Sequence, residues 1–578
     1  MKTFSITTLG CRVNHYESEQ LATLLRSRGL EEAPADRADV RIVHTCSVTI
    51  QAASKSRQSV RRNTRLNVLP SNVSQGKSAE SSIETFPIDP YDTGREKVDR
   101  ARVVVTGCWA TSHPSEAASL PGVDAVLGHH QDVDKELTRL LTQWEAEEKF
   151  APSPHLNLGV QLPVVMQANL PAKINAESVL PKPDFDEVWM TQKAGTRAAL
   201  ITIHNVPSST KEVNGKLEAD ENSCEEGNEV EGSTGYQPVK LRIKSKAATS
   251  SGMVTLPQLG TRQTGHQRAF LKVQDGCDAH CTYCIIPQLR PTLWSKPIDE
   301  AVNEATRLVN AGHIELVLTG IFLGAYGQPT ALRRRQQIPT AQPLGELVDA
   351  LCTQVPNLGR LRLSSLEPGD LTDELITVLK KHPQVVPHFH LPLQSGSDAL
   401  LRKMNRQYTR EDFLQMANQV KSAFDRPAIT TDIICGFPGE TAEEFERTLE
   451  VVNQVGFIHI HAFSYSPRPK TAAARWTKDQ IHGPIVNQRI NRLQELSAAY
   501  SAEFRRQFLG EIVEVLVERP STEEREMQTL AGYQHGRCER YFAVHFESSS
   551  LAPGARAKVR IDRVTTTRTF GTLMEAKP

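Results

Sequence analysis

Residues 269–284 read AFLKVQDG followed directly by Cys277-Asp-Ala-His-Cys281-Thr-Tyr-Cys284. A short β-rich run that ends at Gly276 thus delivers three thiols in quick succession, just past a strand. Three thiolates at this spacing suit three irons of a 4Fe-4S cube and leave the fourth iron open to a small molecule. Two plainer readings compete with this one. A zinc site would need a fourth ligand such as His280, and cysteines also cluster by chance.

Working outward, β-rich runs at 269–273, 314–319, 360–364, 388–393, 429–434 and 457–463 alternate with helical patterns. That alternation predicts a partial parallel (β/α)6 barrel whose working face lies at the carboxyl ends of its strands. Upstream, three shorter units obey the same α/β grammar. Residues 3–8 lead to Gly10-Cys11, 40–44 to Thr45-Cys46, and 102–106 to Gly107-Cys108. An open parallel sheet gathers the carboxyl ends of its strands along one edge, where ligands bind, so Cys11, Cys46 and Cys108 are expected to meet there. Each alone reads as a small buried hydrophobe. Cys224, Cys352, Cys435 and Cys538 lack partners at metal spacing and read as structural.

Downstream, a helix of about 485–507 precedes a Val- and Thr-rich tail with turn residues, which predicts a small all-β barrel. Arg556, Lys558 and Arg560 alternate there with Ala557, Val559 and Ile561, so the basic residues share one strand face. With Arg563 and Arg568 nearby, that face suits phosphates; a solvated strand face is the bland alternative.

A chain of 578 residues exceeds what one core organises. The expected division is an α/β domain over 1–145 with an insertion at about 67–99, a Pro- and Ser-rich linker over 146–262, the barrel over 263–507, and the tail domain over 508–578. The linker carries an acidic, aromatic-poor stretch at 212–232 and is expected to be disordered. Lys plus Arg and Asp plus Glu both number 67, so overall charge favours neither nucleic acid nor membrane. No apolar run approaches the roughly 18 residues of a bilayer span, and no secretory leader pattern opens the chain. Ten cysteines are too sparse for a disulfide scaffold. A cytoplasmic monomer is the expectation.

The spacing of Cys277, Cys281 and Cys284, with an aromatic before the last, resembles the radical S-adenosylmethionine (SAM) superfamily. The likeness narrows with TLGCRVNHYESEQL (8–21), HTCSVT (44–49), GCWA (107–110) and VQDGCDAHCTYCIIP (273–287), which resemble the methylthiotransferase family of radical-SAM enzymes. It continues through LTGIFLGAYG (318–327), RLSSLEP (362–368), HLPLQSGSD (390–398), KMNRQYT (403–409), TDIICGFPGET (431–441) and YSPRPKTAA (465–473). AGYQHGRCERYFAV (531–544) is similar to the TRAM RNA-binding domain. Lys470 departs from the family, which usually has Gly there.

The resemblance implies two 4Fe-4S clusters and SAM. Cys277, Cys281 and Cys284 would hold the cluster that cleaves SAM to a 5'-deoxyadenosyl radical, and Cys11, Cys46 and Cys108 an auxiliary cluster that carries sulfur. Strand-end position and resemblance together place Thr319, Gly320, Glu367, Gln394, Ser395, Asp432 and Gly436 around SAM. A radical suits the reaction because carbon 2 of adenine has no usefully acidic proton. TLGCRVNHYES most resembles the branch acting on N6-threonylcarbamoyladenosine beside the anticodon. Branches acting on isopentenyladenosine or on a ribosomal-protein aspartate are the alternatives, and a non-catalytic iron-sulfur RNA-binding protein is the reading from another class. Implied partners are a tRNA anticodon stem-loop, an electron donor such as flavodoxin or ferredoxin, and a sulfur source.

Overall fold

The computed structural model describes residues 1–66, 100–149, 256–260, 267–332, 342–520, 532–548 and 551–577. The expected insertion at 67–99 and most of the expected linker lie outside the described residues.

The amino-terminal part runs β1 (Thr3–Thr8), α1 (Arg12–Ser27), β2 (Glu31–Glu32), β3 (Val40–Thr45), α2 (Ile50–Arg65), β4 (Arg102–Gly107), α3 (Cys108–Ser112), α4 (Pro114–Ala118), β5 (Ala125–Leu127) and α5 (Val133–Lys149). Its strands form one parallel sheet in the order β2-β1-β3-β4-β5. Central strand β3 is buried along its whole length, as expected of a parallel strand covered on both faces. Helix α5 passes the expected domain edge at 145 because Leu137, Leu140, Leu141 and Trp144 recur at helical spacing and pack into the core. Leu256, assigned from sequence to the linker, is buried in that same core, and Leu259 in the next one.

The central part runs β6 (Arg268–Lys272), β7 (Gln274–Asp275), α6 (Ile286–Leu289), β8 (Trp294–Ser295), α7 (Ile298–Asn310), β9 (Glu315–Thr319), α8 (Pro343–Gln354), β10 (Arg360–Leu363), α9 (Asp373–Lys381), β11 (His388–His390), α10 (Asp398–Lys403), α11 (Arg410–Ala423), β12 (Ala428–Cys435), α12 (Ala442–Val455), β13 (His459–Ser464) and α13 (Gly483–Arg506). Apart from the β7-β8 hairpin, its strands are parallel and lie in chain order in two groups, β6-β9-β10 and β11-β12-β13. The ladder lapses between β10 and β11, where a bridge from Leu361 to Val385 carries the array across. This is the expected partial barrel. Capping boxes at Thr409/Asp412 and Thr441/Glu444 start α11 and α12, and Gly456 in the left-handed region ends α12. Edge strand β6 is covered by α1, whose Tyr16 enters the central core, and β13 by α13.

The tail forms a closed barrel of β14 (Ile512–Val517), β15 (Tyr533–Cys538), β16 (Ala543–Glu547), β17 (Arg556–Val564) and β18 (Thr569–Lys577), ordered β14-β15-β16-β18-β17. It seats on the amino ends of the central strands through a buried hub. Glu315 is fully buried and meets Arg268 at 2.8 Å, Arg362 at 2.9 Å and Arg360 at 3.5 Å. Those arginines reach on to Glu514, Glu518 and the Glu539 carbonyl of the barrel.

Burial alone would raise the Glu315 carboxyl, but Arg362, Arg268 and Arg360 outweigh it and hold it at about 2, against an ordinary 4.5. The depression corresponds to roughly 3 kcal/mol of stability, fully present above the unfolded value and lost as pH falls through the folded one. Glu315→Gln is therefore expected to lower stability at pH 7 by about that amount and to flatten its decline below pH 5, as read by denaturant unfolding across pH. Equal pH slopes for the two proteins would refute the hub's role.

Candidate metal centres

Cys11 is the residue before α1, Cys46 follows β3, and Cys108 opens α3, so three chain-distant thiols come to one sheet edge. Two glycines permit the approach. Gly10 sits at φ +112°, and a Cβ on it would lie 2.8 Å from the Cys46 Cβ; Gly107 sits at φ +95°, and a Cβ there would lie 2.7 Å from the Thr45 nitrogen. Asn14, also buried, donates to the carbonyls of Leu9 (2.8 Å) and Thr45 (3.0 Å), tying the Cys11 turn to the end of β3. Burial raises the Cys46 and Cys108 thiols, and the neighbouring thiols add to it.

The second triad is stapled to a different segment. The Cys277 N–H donates to the Arg290 carbonyl (3.1 Å), the Thr282 N–H to the Met404 carbonyl (3.0 Å), and Asn405 to the His280 carbonyl (3.0 Å). Arg406 then points a guanidinium at the Cys281 sulfur (3.0 Å) and the Tyr283 hydroxyl (3.4 Å) while pairing with Glu367. Leu293, Phe322, Ala325 and Ala331 wall off Cys277 and Cys281. Burial pushes the Cys277 and Cys284 thiols up to about 12 and raises Cys281, where Arg406 opposes it.

Such thiols ionise together only against strong positive charge, which a metal centre provides. A lone zinc ion holds sulfurs about 2.3 Å away and hence within about 4.6 Å of one another. Among the described residues the only groups of three candidate ligands within 4.8 Å are Glu17/His44/His129 and His390/Asp432/His461, so neither cysteine triad is that tight. Two wider, three-thiol sets fit polynuclear iron-sulfur centres with one thiolate per iron.

The seven expected SAM contacts cluster along the strand ends. Thr319 ends β9 and Gly320 follows it, with a Cβ on Gly320 lying 2.9 Å from Gln274. Gln394 takes φ +63° and its N–H donates to the Asp432 carbonyl (2.8 Å), while the Asp432 carboxylate faces His390 at 3.2 Å. Ser395 is buried and accepts from the Ser397 N–H (3.2 Å); the Gly436 N–H donates to Glu440 (2.6 Å). Those two shape the turns that present their neighbours. Lys470 holds φ +69°, a conformation natural to the glycine it replaces.

Between the triads lies a buried ion network absent from the sequence reading. Glu17 of α1 receives Lys272 (2.7 Å) and both ends of Arg290 (2.7 and 2.8 Å), and Asp275 receives the same two cations at 2.7 and 2.9 Å. Arg290 also meets His129 at 2.9 Å. Burial lowers His44 to about 4 and His129 well below its usual value, so both imidazoles are neutral. Two carboxylates and two cations then balance, which rules out Glu17/His44/His129 as an ion site. Next to it the Tyr16 hydroxyl donates to Glu304 (2.8 Å), which also pairs with Lys296. Cys108 packs on Ile285 and Leu289, joining the sides again. Each partner reads alone as an ordinary polar residue, and only the Glu17-to-Arg290 pairing across the fold would have exposed the set.

On the tail barrel, Arg556, Lys558 and Arg560 share the outer face of β17 as expected. Acids answer them: Lys558 pairs with Glu575 (2.7 Å), Arg560 with Asp562 (3.1 Å) and Arg556 with Glu514 (3.8 Å). Arg563 stacks on Phe570, and Arg568 is exposed at the β17-β18 turn. Cys352, Cys435 and Cys538 are buried and isolated from both triads, while Cys224 lies outside the described residues.

Comparison with known families matches residues 271–452 to the radical SAM superfamily and residues 3–76 to the uncharacterized protein family UPF0004. The chain is 30% identical over 562 residues to the threonylcarbamoyladenosine tRNA methylthiotransferase MtaB of Bacillus subtilis (strain 168), covering 97% of this chain and 94% of that one. The protein of the same name from Thermotoga maritima is 29% identical over 90% of this chain and 87% of its own. A tRNA-2-methylthio-N(6)-dimethylallyladenosine synthase of Geobacillus kaustophilus is 36% identical, but over 54% of this chain and 55% of that one.

Proposed function

The chain belongs to the radical-SAM methylthiotransferase family, and from that premise we propose that it converts N6-threonylcarbamoyladenosine beside the tRNA anticodon to its 2-methylthio derivative. The observation that carries the chemistry is the pair of cysteine triads held in one unit by the Glu17–Arg290 network. The choice of base follows the relatives matched end to end, which carry the threonylcarbamoyladenosine name, over those matched through about half the chain.

When bound, SAM and two 4Fe-4S clusters supply the radical that strips hydrogen from an unactivated carbon and the sulfur that replaces it. This chain's residues hold and orient. Cys277, Cys281 and Cys284 would hold the cluster that serves SAM cleavage, and Cys11, Cys46 and Cys108 would hold the auxiliary one. Thr319, Gly320, Gln394 and Asp432 line the SAM pocket, with Ser395 and Gly436 shaping its turns. Arg406 and Glu367 set charge beside Cys281, and Phe322 and Leu293 keep water from that side.

The tail barrel offers Arg556, Lys558, Arg560, Arg563 and Arg568 to the anticodon stem-loop. Because acids already answer three of them, its share of the salt dependence is small. A flavodoxin- or ferredoxin-like protein donates electrons, and a sulfur source restores the auxiliary cluster. No helix among the described residues is long and apolar enough to cross a membrane.

Nucleoside mass analysis of digested tRNA from a strain lacking the gene tests the reading. The 2-methylthio-N6-threonylcarbamoyl product should vanish, with its unthiolated precursor accumulating. Loss of the lighter isopentenyl product instead, or of a modified ribosomal aspartate, would assign the chain to another branch.

A further inference from the structure

Below the strand-end site, toward the amino ends of β6 and β9, lies a cavity of about 80 Å³. Its wall carries three guanidiniums, Arg12, Arg268 and Arg362, and no carboxylate, with Phe270, Val317 and Tyr541 supplying apolar and aromatic surface. The cations are under-served. Arg268 and Arg362 share one Glu315 oxygen, and one terminal nitrogen of each (Nη2) is buried without a hydrogen-bond partner. Arg12 reaches in from the start of α1 with no ion-pair partner among the described residues. The Tyr541 ring lies 5.0 Å from the Arg268 guanidinium and 4.7 Å from that of Arg362, holding both in place.

Buried donors without acceptors carry an uncompensated desolvation cost, which a matching anion relieves. The volume admits a few heavy atoms, since liquid water takes about 30 Å³ per molecule, so a terminal carboxylate fits and a nucleotide does not. Val317 lies two residues before the strand-end Thr319, roughly 7 Å down the barrel. A threonylcarbamoyl group places its carboxylate roughly 5 to 6 Å from the adenine N6. A base presented at the strand ends therefore brings that carboxylate to within about 1 to 2 Å of the depth of Val317, toward the arginines.

We propose that this cavity is the subsite for the threonylcarbamoyl carboxylate of the substrate base, with Arg12 and the open nitrogens of Arg268 and Arg362 as its donors. The assignment rests on the function proposed above. It makes the side chain's charge the determinant of choice: an isopentenyl group fills the space and leaves Arg12 and the open nitrogens of Arg268 and Arg362 unanswered, the arrangement by which a polar pocket rejects an apolar analogue.

The test uses the reconstituted full chain with synthetic anticodon stem-loops carrying threonylcarbamoyladenosine or its carboxamide, in which an amide replaces the carboxylate. Product formation, SAM cleavage and iron content are followed together. The native chain should favour the acid by roughly 10- to 150-fold in kcat/KM, the range of one charge-assisted hydrogen bond. Arg12→Gln should lose most of that preference through KM, with iron content unchanged and the carboxamide little affected. Equal use of acid and carboxamide by the native chain would overturn the subsite and leave the function standing. An equal fall on both substrates in Arg12→Gln would overturn it too, by making Arg12 a support for the Cys11 turn or a phosphate contact. Turnover of an isopentenyl stem-loop in place of both would remove the proposed function and the subsite with it.

Discussion

Replacing Cys277, Cys281 and Cys284 together by alanine is expected to lower iron in anaerobically reconstituted protein from about eight to about four per chain and to abolish SAM cleavage. The two triads sit in different segments and are stapled by different contacts, Asn14 on one side and Met404 to Arg406 on the other. Loss of one should therefore leave the other able to load. The complementary variant, with Cys11, Cys46 and Cys108 replaced, should also retain about four irons but continue to cleave SAM while forming no methylthio product. Mössbauer spectra and 5'-deoxyadenosine yield read both outcomes. About four irons in the native chain, falling to none in the first variant, would make the amino-terminal triad structural and point to a simpler radical-SAM reaction.

The second large effect is expected at Glu17. Alanine there removes the acceptor of Lys272 and of both ends of Arg290, leaving two buried cations with Asp275 as their one charged partner in the network. Breaking a buried pair from one side costs about 3–5 kcal/mol because the remaining charge is uncompensated. Arg290 also accepts the Cys277 N–H on its carbonyl, and Cys108 packs one turn away, so the loss moves the triads relative to each other. Denaturant unfolding should show the lost stability. Single-turnover assays should show SAM cleavage outrunning product formation, an uncoupling that plain loss of stability does not produce. Coupled turnover at native stability in Glu17→Ala would remove the network from the account.

Strand ends were the legible part of this protein. Cysteines placed just after apolar runs, at Cys11, Cys46 and Cys108, required only the rule that parallel strands end along one edge, and the structure gathers them there. The six central strands were legible for the same reason: parallel strands buried on both faces read as short apolar runs. Strands β2 and β5 were missed because two and three residues are too short for any period to register. Glu17 sits in HYESEQ, which reads as a solvated helix start, and its burial depends on Arg290, 273 positions away. The same holds for Lys558, whose free appearance in β17 ends at Glu575 on the neighbouring strand. Long-range ion pairing leaves no local period, so charge balance at a site is what sequence reads least well.

The span from Glu17 to Arg290 also bears on how the chain is made. At roughly 5 to 20 residues per second, synthesis separates the two by on the order of 15 to 55 s. During that interval Glu17 has the neutral His44 and His129 beside it but neither Lys272 nor Arg290, and Tyr16 lacks Glu304. The newborn sheet must therefore wait, half-clad, for the middle of its own chain, and that is when chaperones would be expected to hold it.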